Sequence, residues 1–179
     1  MNLRNPEHLA RVREVFGLAN RHRLAITAHI ATTERDYDPR ATATIFLEQL
    51  LPAAADVPVQ IAHMTGDSGF SETKEEISFG VFADAIVAGD PRTRNLYFDA
   101  SGVVQANRPQ PQSALERVAR RMRQVGLTRI LWASDRHAPN NQAPADAWKT
   151  FLERLPLTEA EFRDIADNEV RYPRRGPGM

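Results

Sequence analysis

Short apolar runs alternate with helical patterns along the chain. Asn5 is a favourable N-cap and Pro6 suits the first helical position. Apolar residues then recur at helical spacing from Leu9 to Ala19, up to a basic turn at residues 21–23. This pattern predicts an amphipathic helix that leads directly into the first apolar run.

Four apolar runs have the length and composition of buried strands in a parallel sheet. They are residues 24–30, 57–63, 95–101 and 129–135. Helical patterns separate them at residues 41–51, 74–87 and 113–125, and Gly126 is placed to end the last of these helices. The alternation predicts an α/β fold with about four parallel strands and flanking helices, as either an open doubly wound sheet or part of a closed barrel.

The end of the chain carries two more helical patterns and no sign of a linker. Residues 147–155 form the first, and the capping box Thr158-Glu159-Ala160-Glu161 opens the second. We therefore expect one domain over residues 1–179, with a disordered tail at 174–179.

Composition restricts the class of partner and the compartment. The chain has 179 residues, of which 42% are hydrophobic, and its 23 basic side chains balance its 23 acidic ones. Zero net charge gives no attraction to nucleic acid or to an anionic membrane, so a small molecule is the expected ligand. With no cysteine, any metal must bind to histidine and carboxylate. The absence of a signal peptide and of a long apolar segment predicts a cytoplasmic protein.

The four predicted strands end in polar residues that suit a binding site. These are His29, His63, Ser101 and Asp135. In parallel α/β folds the loops at the carboxyl ends of the strands surround the ligand. Each residue alone also fits a structural hydrogen bond, but two histidines and a carboxylate together match the ligands of zinc, manganese or iron.

Metal-assisted hydrolysis is the chemistry that this set of residues predicts. His29 and Asp135 are the candidate metal ligands, and Asp135 could also accept the proton of the attacking water. His63 is a third candidate ligand, or a catalytic group that orients the water or protonates the leaving group. The weaker candidates for substrate binding are Ser101, Arg136 and His137.

Several segments resemble the second half of the barrel found in the amidohydrolase superfamily. The resemblance is to its amidohydrolase-related, metal-dependent hydrolases and decarboxylases in particular. Residues 25–29 (AITAH) resemble the fifth barrel strand with its metal-binding histidine, and residues 60–66 (QIAHMTG) resemble the sixth. Residues 95–101 and 130–135 are similar to the seventh and eighth strands, the latter with its metal-adjacent aspartate. Residues 157–171 resemble the terminal helix.

This resemblance implies a partial TIM-type barrel. It also implies a divalent metal, with zinc preferred over manganese or iron, and leaves open whether this chain still binds that metal. It implies hydrolysis of a C–N or ester bond of a small molecule, or a related decarboxylation. The chain contains no His-x-His pair, which the family's first strand normally supplies, and it has four predicted strands where a barrel has eight. We therefore expect a homo-oligomer or association with a missing half-barrel.

Two alternatives remain at this point. The chain could be a non-catalytic half-barrel remnant or small-ligand-binding module, which metal content would distinguish from an enzyme. It could also be an open flavodoxin-like sheet, in which the strand order would reverse at a switch point.

Overall fold

The computed structural model describes residues 2–31, 37–66, 74–104, 106, 110–136 and 142–170. His137 and the predicted tail at 174–179 lie outside the described residues. The strands are β1 (Ile26–Ala28), β2 (Val59–Ile61), β3 (Leu96–Asp99) and β4 (Ile130–Leu131). The helices are α1 (Pro6–Arg21), α2 (Pro39–Ile45), α3 (Lys74–Val87), α4 (Gln112–Val125), α5 (Pro144–Arg154) and α6 (Glu159–Ala166).

The four strands form one parallel sheet in the order β1-β2-β3-β4. Each strand lies beside the next one in the chain, so the order does not reverse among the described strands. A doubly wound sheet needs such a reversal, whereas a (β/α) barrel does not. The prediction of a partial TIM-like barrel is therefore confirmed, and the flavodoxin-like alternative is wrong.

The helices begin and end where the sequence provides the caps. Asn5 Oδ1 accepts hydrogen bonds from the backbone N–H groups of Glu7 and His8, at 2.9 and 3.2 Å, and Pro6 begins α1. Gly126, with φ of 91°, ends α4. The helix that begins at Pro39 continues as a π-helical turn, Phe46–Leu50, in which Leu51 N–H donates to the carbonyl of Phe46.

The hydrophobic core lies between the sheet and the helices. Its centre is a row of phenylalanine rings in edge or tilted contact, in which Phe46 contacts Phe82 at 5.8 Å and Phe79 contacts Phe98 at 4.8 Å between centroids. All four rings are fully buried. Such ring pairs stabilise the core beyond the simple burial of apolar area. The rings fix α3 and the π-helical turn against β3.

The two faces of the sheet differ in polarity. Strand residues point alternately to opposite faces, and the register pairs Thr27 with Gln60 and Gln60 with Tyr97. Thr27 is exposed and the other two are half-buried, whereas the alternate residues Ile61 and Phe98 are fully buried among the helices. The polar face corresponds to the inside of a barrel.

The outer edge of β4 is partly covered by the end of the chain. Leu131 C=O accepts from the N–H of Ala100, the residue after β3, so the carbonyl of Ile130 points away from β3. Asn168 Nδ2 donates to that carbonyl at 2.8 Å and to the carbonyl of Thr128 at 2.7 Å. None of the described helices has both the length and the apolar character needed to cross a lipid bilayer.

Candidate functional site

The predicted strand-end residues do follow the strands, at increasing distances. His29 comes directly after β1, His63 and Ser101 each lie two residues past their strands, and Asp135 lies four residues past β4. Because the strands are parallel and adjacent, all four residues lie beyond the same end of the sheet. This is the end at which ligands bind in parallel α/β folds.

The structure brings two of the predicted residues into direct contact. The rings of His29 and His63 meet edge to face, with their centroids 5.2 Å apart. His29 is exposed, whereas only 13% of the His63 side chain is exposed. One imidazole of the pair therefore faces solvent and the other is held within the protein.

A buried carboxylate that was not predicted as a site residue organises this end of the sheet. Asp99, the last residue of β3, is 3% exposed. Its Oδ1 accepts from the backbone N–H groups of His63 and Ser101, at 3.0 and 3.1 Å, and from the hydroxyl of Ser101. Its Oδ2 accepts from Gln60 Nε2 at 2.8 Å. Four donors thus compensate for the burial of this charge.

Ser101 connects Asp99 to the imidazole of His63. His63 Nδ1 lies 2.8 Å from Ser101 Oγ and 2.9 Å from the carbonyl oxygen of Ser101. Ser101 is itself buried, with 3% exposed. Asp99, Ser101 and His63 therefore form one continuous hydrogen-bonded group. In this group Ser101, which was one of the weaker candidates for substrate binding, orients His63.

The backbone around His63 is held in an uncommon conformation. His63, Met64 and Thr65 have φ of 55°, 48° and 75°, in the left-handed region that favours glycine. The turn is held by Gly66 N–H, which donates to His63 C=O at 2.9 Å, and by Thr65 Oγ1, which donates to Glu75 C=O at 3.1 Å. Such strain costs about 1–3 kcal/mol per residue and tends to cluster at functional sites.

The segment after β4 carries three further predicted site residues. Asp135 is half-buried and has φ of 52°, again in the left-handed region, and Arg136 is exposed. His137, the other predicted contact for an anionic substrate, lies outside the described residues.

The fit of this site to a divalent metal is incomplete. Imidazole nitrogen is a suitable donor, but a catalytic zinc site uses three protein ligands. Within the described part of the chain, no three His, Asp or Glu side chains are grouped so that they could hold a metal ion. Asp135 therefore does not complete such a group with His29 and His63.

The comparisons with known proteins agree with the fold. The amidohydrolase family model matches residues 2–168. Among solved structures, the chain is similar to amidohydrolase 2 from Bifidobacterium longum subsp. infantis, with a TM-score of 0.51 and 20% sequence identity. The match covers 92% of this chain and 53% of that protein, so the chain spans about half the length of the structure it matches. No curated protein matches the chain significantly.

Proposed function

Because the chain belongs to the amidohydrolase family, we propose that it carries part of the active site of a hydrolase for small molecules. The bond broken is a C–N or ester bond, or the reaction is a related decarboxylation. The observation that carries the proposal is the contact between His29 and His63, 5.2 Å apart between ring centroids, beyond the carboxyl end of the sheet.

His63 is the general base or acid of this proposal. Its Nδ1 lies within hydrogen-bond distance of Ser101 Oγ and of the carbonyl oxygen of Ser101. Its Nε2 has no hydrogen-bond partner among the described residues. Nε2 is therefore the atom that can exchange a proton with water or a leaving group. Arg136 would contact an anionic group of the substrate, which suits a planar, permanently charged guanidinium. Asp135 is a second proton acceptor for the attacking water.

A divalent metal, zinc first and manganese or iron otherwise, belongs to the same proposal. His29 and Asp135, with His63 as a further donor, are the residues of this chain that would bind it. When bound, such an ion would polarise the scissile carbonyl and lower the pKa of water. Since the described residues do not form a group of three ligands, we expect metal binding by this chain alone to be weak.

A second candidate function is a non-catalytic half-barrel that binds a small ligand. This candidate is favoured because the described residues contain no group of three side chains that could hold a metal ion. The two candidates differ in the metal content of the purified chain and in the residues on which it depends.

Elemental analysis of the purified chain, after addition of zinc or manganese and removal of excess metal, tests the proposal. We expect up to one divalent metal per chain, and its loss in His29→Ala and Asp135→Ala. The matched control is His22→Ala, which removes an exposed imidazole beyond the end of α1 and should leave the metal content unchanged. Titration calorimetry with zinc would detect a weaker site that does not survive purification.

Two results would contradict the enzymatic proposal for this chain. One is the absence of metal binding in both measurements. The other is equal metal loss in His22→Ala and in the site variants, because this would indicate adventitious binding to histidine. Either result would favour the ligand-binding half-barrel.

A further inference from the structure

The hydrogen bonds around Ser101 determine which nitrogen of His63 carries the proton. The Ser101 hydroxyl has a single hydrogen, which it donates in a hydrogen bond to the carboxylate oxygen Asp99 Oδ1. Towards His63, Ser101 Oγ can therefore act only as an acceptor. The carbonyl oxygen of Ser101, the second neighbour of His63 Nδ1, is also an acceptor only.

We infer that Asp99, acting through Ser101, holds His63 as the Nδ1–H tautomer, with the lone pair on Nε2. With two acceptors and no donor around it, Nδ1 must carry the hydrogen in the neutral ring. Asp99 and Ser101 are thus positioning residues. They determine which atom of His63 can take a proton or bind a ligand.

Asp99 holds His63 at two points at once. It accepts the backbone N–H of His63 at 3.0 Å, which supports the left-handed turn, and it fixes the ring through Ser101. Gln60 closes the network from β2 by donating to the other carboxylate oxygen at 2.8 Å. Since Asp99 and Ser101 are almost completely buried, water cannot easily replace these contacts.

The consequence for catalysis rests on the proposed function. A base needs an unprotonated nitrogen directed at the reacting water, and a tautomer fixed in advance avoids a rearrangement during the reaction. The tautomer itself does not depend on the activity, so it can be measured in a chain that has none.

Nitrogen-15 NMR of the full chain, labelled at histidine, tests the inference directly. The spectrum is recorded at alkaline pH, where the imidazole is neutral, and with a chelator that removes metal ions. His63→Gln identifies the His63 signals among those of the five histidines. We expect Nδ1 to show the chemical shift of a protonated ring nitrogen and Nε2 that of an unprotonated one.

Variants of the network separate a positioning role from a purely structural one. Ser101→Ala removes one of the two acceptors, and Asp99→Ala frees the Ser101 hydroxyl to donate to Nδ1. Each should lower the ratio of the Nδ1–H form to the Nε2–H form about 2- to 10-fold, the effect of one neutral hydrogen bond. Asp99→Asn should restore the wild-type ratio, because it keeps an oxygen at the Oδ1 position and Gln60 can turn its amide to meet the new NH₂.

The inference is overturned if His63 in the wild-type chain is mainly the Nε2–H tautomer. It is also overturned if the ratio is unchanged in Ser101→Ala, which is the deciding variant should Asp99→Ala fail to fold. An unchanged ratio in a folded Asp99→Ala chain would show that Asp99 does not determine the tautomer of His63, and would overturn its role as a positioning residue. A chain with the expected tautomer but without metal or activity would contradict the proposed function and leave this inference standing.

Discussion

Glu161 shows how one surface carboxylate can connect two helices. Its side chain accepts hydrogen bonds from Arg123 of α4 at 2.5 and 2.8 Å, and from the backbone N–H of Thr158 at 2.7 Å. Thr158 Oγ1 accepts in return from Glu161 N–H, which completes the capping box predicted from the sequence. The hydrogen bonds from Arg123, followed by the one from Thr158, lower the pKa of Glu161 to about 2.

This lowered pKa predicts an acid-dependent part of the free energy of unfolding. The ordinary value is 4.5 and the folded value about 2, so the contribution is complete above pH 4.5 and is lost as the pH falls towards 2. Glu161→Gln should flatten the stability profile in this interval. At neutral pH it should lower stability by about 0.5–1 kcal/mol, because the pair is partly exposed and screened by solvent.

Urea unfolding at a series of pH values measures this effect. The matched control is Glu159→Gln, which removes the same charge from the same helical turn but breaks only the exposed pair with Arg163. If the two variants gave the same profile, the effect would come from charge at the helix N-terminus and the specific role of Arg123 would be rejected.

The residues of the candidate site were predictable to different degrees. His29, His63 and Ser101 were predicted because each ends an apolar run. Asp99 was missed because it lies inside such a run, where a single carboxylate gives no local signal. A weak signal did exist, since residues two apart in a strand share a face and Asp99 stands two positions before Ser101. Only the fold brings Gln60 and His63 to the same carboxylate.

At the scale of elements, the four described strands and their alternation with helices were predictable from the apolar runs, but the lengths of the strands were not. Each predicted run has seven residues, whereas β1 has three and β4 two. A strand extends only as far as its neighbour pairs with it. Among the described residues β4 is paired only with β3, and that pairing ends at Asp99 and Leu131. The chain leaves β2 in the left-handed turn at His63, which hydrophobic periodicity does not indicate. The π-helical turn at Phe46–Leu50 was also not predictable from the sequence, because one extra residue in a single turn hardly changes the hydrophobic periodicity.

The connection from α4 to β4 depends on a glycine. Gly126 has φ of 91°, which residues with a Cβ rarely adopt. Apart from the two neighbouring residues in the chain, no described heavy atom lies within 4 Å of the position that a Cβ would occupy. Gly126→Ala should therefore lower the free energy of unfolding by about 1–3 kcal/mol through backbone strain alone. Gly17, inside α1, has an ordinary helical backbone, and its added Cβ would make a normal contact at 3.5 Å with Arg21. Gly17→Ala should raise stability by about 0.5–1 kcal/mol.

Urea denaturation of both variants provides the measurement, and each variant is the control for the other because the chemical change is identical. Changes of the same sign would contradict the assignment of the Gly126 effect to backbone conformation.

At the scale of the whole molecule, three parts of the sheet are less covered than the rest by the described residues. Both outer edges lack a neighbouring strand among the described residues, although Asn168 covers Ile130 C=O at the β4 edge. Thr27, Gln60 and Tyr97 on one face of the sheet are less buried than Ile61 and Phe98 on the other. Open edges and half-covered faces favour association with another chain.

Apolar residues are exposed on α1 and in the segment that leads into β1. They form what we call the β1-edge patch, which consists of Val15 (59% exposed), Leu18 (40%) and Leu24 (42%). Val15 and Leu18 share one flank of α1, and Leu24 lies two residues before β1. Near the opposite edge, a cavity of about 370 Å³ opens beside β4, lined by Trp132 and Trp148 among others. Apolar surface is thus available on the elements that precede β1 and on those that follow β4.

We predict that two copies of the chain associate so that the β1 edge of each lies beside the β4 edge of the other. A twofold axis would form both contacts at once, and two sheets of four strands would give the eight of a barrel. Sedimentation equilibrium over a range of concentrations should show a dimer. Val15→Lys and Leu18→Lys should each raise its dissociation constant at least about tenfold, because each replaces a buried apolar contact with a charge.

The matched control is Val87→Lys, which makes the same change at a residue that is 65% exposed at the end of α3, away from both edges. Its dissociation constant should equal that of the wild type. A wild-type chain that remains monomeric at all concentrations would reject the homodimer, and association with a separate half-barrel would then be the remaining way to cover the edges. Pairing at the edges requires Val15→Lys and Leu18→Lys to weaken the dimer more than Val87→Lys does. If all three variants raised the dissociation constant equally, the chain would associate through non-specific apolar contact and the proposed pairing would be rejected.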